Sequence, residues 1–96
     1  QIPYRDIVYM ESRRRVIHLF GRNGEEYRFY KKMKDLLEEI SHTGNMFIRV
    51  HCSYVVNYYY IKSLSSTEAE LLTGEKLPVS GEYKNEALKK FMGMME

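Results

Sequence analysis

Cysteine is nearly absent. Cys52 is the only one, which excludes an internal disulfide framework and a cysteine-built zinc site and fits a reducing, cytoplasmic setting. No apolar run approaches the roughly 18–20 residues needed to span a bilayer, so no membrane partner is expected. The opening residues, from Gln1 to Asp6, carry no signal-peptide pattern. They also lack an initiator methionine, and the expectation is a piece of a longer protein. There is no glycine-rich phosphate loop and no His-Glu-x-x-His pattern. The three histidines, His18, His42 and His51, are scattered, with none at ligand spacing. No metal, no cofactor and no enzymatic activity are expected. Internal repeats and low-complexity tracts are missing as well.

What is present is enough for one folded domain. The chain has 96 residues, too few for two cores. Its 44% hydrophobic and 29% charged residues exclude a disordered tail. The net charge of +2 hides an uneven distribution. Residues 13–34 hold Arg13, Arg14, Arg15, Arg22, Arg28, Lys31, Lys32 and Lys34 against Glu25 and Glu26, a local +6 that leaves −4 for the remainder. A basic segment on a nearly neutral domain is either a footprint for a polyanion or a solvated face.

The patterning is mostly β. Short β-branched and aromatic runs occur at 7–10, 16–20, 26–30, 46–50 and 54–57, and shorter ones at 62–66, 69–72 and 76–79. Asn23-Gly24 reads as a hairpin turn in which both central positions tolerate positive φ. Thr73-Gly74-Glu75 reads as another turn, and Pro78 places its strand at an edge or end. Between the strands, Met33, Leu36, Leu37 and Ile40 fall at i, i+3, i+4, i+7, one helix face. This spacing predicts an amphipathic helix over about 32–42, stopped near Gly44. Ala87, Leu88 and Phe91 predict a short C-terminal helix over about 82–92.

Three features could carry chemistry. Arg13-Arg14-Arg15 lies between two strand patterns and predicts a cationic loop of long reach, suited to bidentate pairing with phosphate or guanine, or else a solubilising turn. His51 beside Cys52 invites a thiolate nucleophile, but adjacent residues of an extended strand point to opposite faces, which argues against direct pairing. The run Tyr58-Tyr59-Tyr60 could stack nucleobases, but no Gly/aromatic RNP-type motif accompanies it, and half-buried tyrosines at a sheet edge are the simpler reading.

Three stretches together resemble the LytTR family, the DNA-binding domains of bacterial transcriptional regulators. They are Ile7-Val8-Tyr9-Met10-Glu11-Ser12, the block from Phe47 to Asn57, and Leu77-Pro78-Val79-Ser80. The central block matches F-x-R-x-H-x-S-x-x-V-N throughout, and the resemblance runs over about residues 6–91. It implies a mostly β fold, an elongated stack of short antiparallel sheets with a small helix. It also implies a place C-terminal to a receiver domain in the same chain, as output of a two-component system. The implied partner is double-stranded DNA with paired direct-repeat half-sites, bound as a dimer and read by loops in the major groove.

The resemblance also implies contact residues. The loop after the first strand maps to Arg13, Arg14 and Arg15. The segment before the helix maps to Tyr30, Lys31 and Lys32, with Lys34 close by. The His-x-Ser loop maps to His51, Cys52 and Ser53, with Asn57 expected to brace it, and the last contact region follows Ser80. Two departures stand out. The family favours Arg where this chain has Cys52, and basic residues where it has Gly81 and Glu82. Lys84 is then a substitute cation, or the first loop dominates affinity. The same departures motivate an alternative, a LytTR-like protein–protein signalling module with DNA binding weakened or lost.

Overall fold

The computed structural model describes residues 2–95. Its strands are β1 (Ile7–Arg13), β2 (Val16–Gly21), β3 (Glu26–Tyr30), β4 (Phe47–His51), β5 (Tyr54–Asn57), β6 (Ile61–Leu64), β7 (Glu68–Leu71) and β8 (Lys76–Pro78). Helix α1 (Met33–Glu39) lies between β3 and β4, and α2 (Lys84–Met95) follows β8. The strands form a five-stranded antiparallel sheet in the order β3-β2-β1-β5-β4 and a three-stranded one in the order β6-β7-β8.

β1 is central and covered on both faces, which explains its unbroken apolar start. Ile7, Val8, Tyr9 and Met10 are all buried. On one face Val8 and Tyr9 join Ile48, Val50 and Val56, and the small sheet and α2 close over them with Ala69, Leu71, Leu77 and Ala87. On the other face Ile7, Met10, Ile17, Leu19 and Val55 meet Leu36 and Ile40 of the α1 region. Beyond Met10 the strand turns polar with Glu11, Ser12 and Arg13, and the core ends there.

The mostly antiparallel β reading with two helices is what the structure has. The body, however, is barely elongated, at 31 × 26 × 25 Å. The small sheet shares one apolar cluster with the large sheet and with α2 instead of extending the stack end to end.

The helix expected over 32–42 is α-helical only over Met33–Glu39. Ser41 and Thr43 then donate their hydroxyls to the carbonyls of Glu38 and Ile40, which diverts the chain into a 3₁₀ turn. The C-terminal helix begins at Lys84, because the amides of Tyr83 and Lys84 both close onto the Ser80 carbonyl as a turn. The Asn-Gly expectation is half right. Only Gly24 has positive φ, at 85°, and Gly24 N–H donates to the Gly21 carbonyl in a longer connection.

Candidate nucleic-acid interface

Three backbone hydrogen bonds gather distant segments at one end of the large sheet. The Ser12 amide donates to the Ser53 carbonyl at 2.9 Å, the Lys31 amide to the Arg15 carbonyl at 3.0 Å, and the Ser80 amide to the Val50 carbonyl at 2.9 Å. The β1–β2 turn therefore has the β3–α1 junction on one side and the β4–β5 turn on the other, with the Ser80–Lys84 segment beyond. The N-terminal turn Tyr4–Asp6 lies at the opposite end of β1, about 20 Å away for a seven-residue strand.

The arginine triplet is not a long loop. Arg13 is the last residue of β1 and pairs with Val16 in the ladder, so the connection is only Arg14-Arg15. Both have left-handed backbone, φ 50° and 69°, as a two-residue hairpin of primed type requires. The three side chains also differ. Arg13 donates to Glu11 Oε1 at 2.8 Å, and the Tyr54 hydroxyl donates to Glu11 Oε2 at 3.2 Å. The Arg13 guanidinium holds the Glu11 carboxyl below its usual range, against the opposing effect of burial. Burial first, then the Glu11 charge, pushes the Tyr54 hydroxyl up. Arg14 and Arg15 are exposed and make no ion pair among the described residues.

Two carboxylates behind the tip, Glu11 and Glu26, are engaged within the sheet. Glu26 accepts from Arg28 Nε at 3.2 Å and lies 2.9 Å from Nδ1 of the buried His18. The hydrogen bond with His18, then that with Arg28, holds the Glu26 carboxyl low. The Arg14-Arg15 turn thus presents cations with these two acids behind it, while Glu82 of the Ser80–Lys84 segment is an exposed acid.

The lysines separate in the same way. Lys31 is turned back onto Glu39 of α1 and lies over the Phe29 ring, 5.7 Å from its centroid. Lys32 and Lys34 are exposed at the start of α1, and Tyr30 is 85% exposed.

The His-x-Ser segment is a tight turn, not a continuous strand. His51 Nδ1 accepts the Ser53 amide at 3.1 Å, so that nitrogen is unprotonated and the ring proton sits on Nε2. Nε2–H has no partner among the described residues and is the donor left for a ligand. The turn also brings Cys52 Sγ to 3.6 Å from His51 Nδ1, against the opposite-face expectation for a strand. Cys52 is exposed.

Asn57 does not brace this turn. It is fully buried at the far end of β5, where Nδ2 donates to the Ile7 carbonyl at 2.8 Å and Oδ1 accepts the Tyr59 amide at 3.0 Å. It ties the N-terminal segment to the 3₁₀ turn Tyr58–Tyr60. The brace of the His-x-Ser turn is Arg49, whose Nε and Nη2 donate to the carbonyls of His51 and Cys52 at 3.3 and 2.9 Å. Its position in the F-x-R-x-H run marks it in the sequence. What it holds depends on carbonyls whose direction only the folded turn sets.

The last segment is mixed. Gly81 and Glu82 are exposed, Lys84 is half-exposed at the start of α2, and the Ser80 hydroxyl is buried with no hydrogen-bond partner among the described residues.

Residues 1–92 match the family model described as the LytTr DNA-binding domain. Among solved structures, the chain superposes with a TM-score of 0.77 on the LytTr DNA-binding domain of a protein described as a methyl-accepting/DNA response regulator from Bacillus cereus. The two are 23% identical, and the match covers 96% of this chain and 85% of that one, which shows a shared fold. No curated protein matches the chain.

Proposed function

The chain belongs to the LytTr family of DNA-binding domains, and on that premise we propose that it reads double-stranded DNA sequence-specifically as the output domain of a two-component transcriptional regulator. The observation that carries the reading is the gathering of the Arg14-Arg15 tip, Lys32, His51 and the Ser80–Lys84 segment at one end of the sheet by backbone hydrogen bonds. Contacts on loops held by a rigid sheet suit groove reading without a recognition helix. Arg14 and Arg15 supply forked donors for guanine edges or phosphates. Lys32, Lys34 and Lys84 supply phosphate charge, and His51 Nε2–H and the Ser53 hydroxyl supply neutral donors. The domain has a binding role, with no catalytic step assigned to it.

The proposed setting is a cytoplasmic protein with a receiver domain earlier in the same chain. The position of Tyr4–Asp6 at the end away from the tip supports this, since a preceding domain would then clear the duplex. Two copies acting as a dimer on paired direct repeats would lie on one face of the DNA. That requires half-sites a whole number of helical turns apart, about 10–10.5 base pairs each.

Selection of bound fragments from a random duplex pool tests the reading. Enrichment of paired direct repeats at that spacing is the expected result. A pool that stays random would instead favour a protein–protein signalling module, for which Cys52, Gly81 and Glu82 are the sequence motive.

A further inference from the structure

We propose that Arg49 is a positioning residue that locks two DNA-contacting segments together and does not itself touch the DNA. The proposal rests on the DNA-binding reading above and adds to it the residue that sets the register of the His-x-Ser turn. Arg49 lies on β4, two residues before His51. Its guanidinium reaches forward past the end of the strand and donates twice into the β4–β5 turn, to the His51 and Cys52 carbonyls. The outer face of the same guanidinium lies over the Tyr83 ring, 4.5 Å from its centroid. Tyr83 belongs to the segment that closes onto Ser80, and the Ser80 amide is bonded to Val50. One planar cation therefore joins the His51–Ser53 turn to the segment that opens α2.

The geometry uses properties that only arginine has. Two carbonyls of one turn take two N–H groups of one rigid fork, and the flat face remains free to stack on the ring. Lysine keeps the charge but cannot do both. With two of its five N–H groups bonded to the turn carbonyls and one face of the fork covered by Tyr83, the Arg49 guanidinium is held against the protein and not extended toward a phosphate. Its effect passes through His51. The Ser53 amide reaches His51 Nδ1 only in this turn geometry, and that bond keeps the ring proton on Nε2.

The test compares Arg49→Lys and Arg49→Gln with the unaltered 96-residue chain on the duplex that the unaltered chain selects. A positioning role predicts that both substitutions lower affinity alike, by about tenfold, since both lose the fork. The slope of log affinity against log salt stays the same in both. If Arg49→Lys keeps full affinity while Arg49→Gln flattens the slope by about 0.9, Arg49 is a phosphate contact and the proposal is overturned.

Amide hydrogen exchange provides a readout without DNA. The Ser53 amide is expected to exchange about tenfold faster in both Arg49 variants and in Tyr83→Leu, and at the original rate in Tyr83→Phe, which keeps the ring. An unchanged Ser53 rate in the Arg49 variants also overturns the lock. Should the unaltered chain select no duplex, the DNA reading fails, and Ser53 exchange still decides whether Arg49 holds the turn.

Discussion

Arg14 and Arg15 follow one another in left-handed backbone, φ 50° and 69°, where side chains with a Cβ are strained by roughly 1–2 kcal/mol each. Asn-Gly is the pair that such a two-residue turn favours. The double replacement Arg14→Asn, Arg15→Gly should stabilise the fold by about 1 kcal/mol, raising the melting midpoint by roughly 4–8 °C. It should also remove two exposed cations and flatten the salt slope of DNA binding by about one to two units. Thermal unfolding and a salt titration measure both. A domain less stable than the parent would mean that the arginines hold the fold and are not kept there for a ligand.

Base reading should separate within the triplet. Arg13 is held by Glu11, whereas Arg14 and Arg15 are free among the described residues. Alanine at Arg14 or Arg15 should lower affinity for a selected duplex more than for random DNA, since a guanine pairing is worth about 1–3 kcal/mol of discrimination and a phosphate contact none. Equal losses on both duplexes would reduce the tip to a phosphate clamp.

Neighbouring lysines should behave unequally. Lys31 is engaged by Glu39, and Lys32 is exposed. Lys32→Ala should flatten the salt slope by about 0.9, and Lys31→Ala should leave it nearly unchanged. Equal flattening would show that DNA draws Lys31 away from Glu39. At the other end of the interface, Glu82→Arg places a cation where this chain has an exposed acid, and it should raise affinity and steepen the slope.

The Ser80 hydroxyl is buried without a partner among the described residues. An unsatisfied buried polar group costs roughly 1–3 kcal/mol. Ser80→Ala should therefore be neutral or stabilising in a denaturant titration. A loss above about 1 kcal/mol would mean that the hydroxyl has a partner worth a hydrogen bond.

Acid should loosen the tip through Glu11. Its carboxyl is held below its usual value, chiefly by the hydrogen bond from Arg13. A depressed folded-state value makes the contribution to stability complete above the unfolded value near 4.3 and lost as pH falls through the folded value. Glu11→Gln should thus narrow its stability deficit relative to the parent as pH drops below about 4. A deficit constant from pH 7 to pH 3 would rule out this linkage. On the alkaline side, burial and then the Glu75 charge push the Tyr9 hydroxyl up to about 12. Its contribution is complete below the unfolded value near 10 and is lost as pH rises through 12.

Much of this protein follows from local sequence. Alternating and continuous apolar runs place all eight strands, because strand burial repeats every two residues or is continuous where both faces are covered, as at Ile7–Met10. The i, i+3, i+4, i+7 spacing places α1. The F-x-R-x-H-x-S-x-x-V-N block marks the region of His51 and Ser53. What the sequence leaves open is set by bonds between residues far apart in the chain. Asn57 lies inside that block, yet it bonds Ile7, fifty residues earlier, and not the turn beside it. Arg13, Arg14 and Arg15 are alike as letters. The Arg13–Val16 pairing ends the strand at the first and bends the other two into left-handed backbone. Lys31 and Lys32 are equally identical in sequence, and only the return of α1 gives one of them to Glu39. Residue type and spacing carry strand and helix identity because those depend on neighbours within a few residues. Which cation is free depends on which carboxylate the tertiary fold brings beside it.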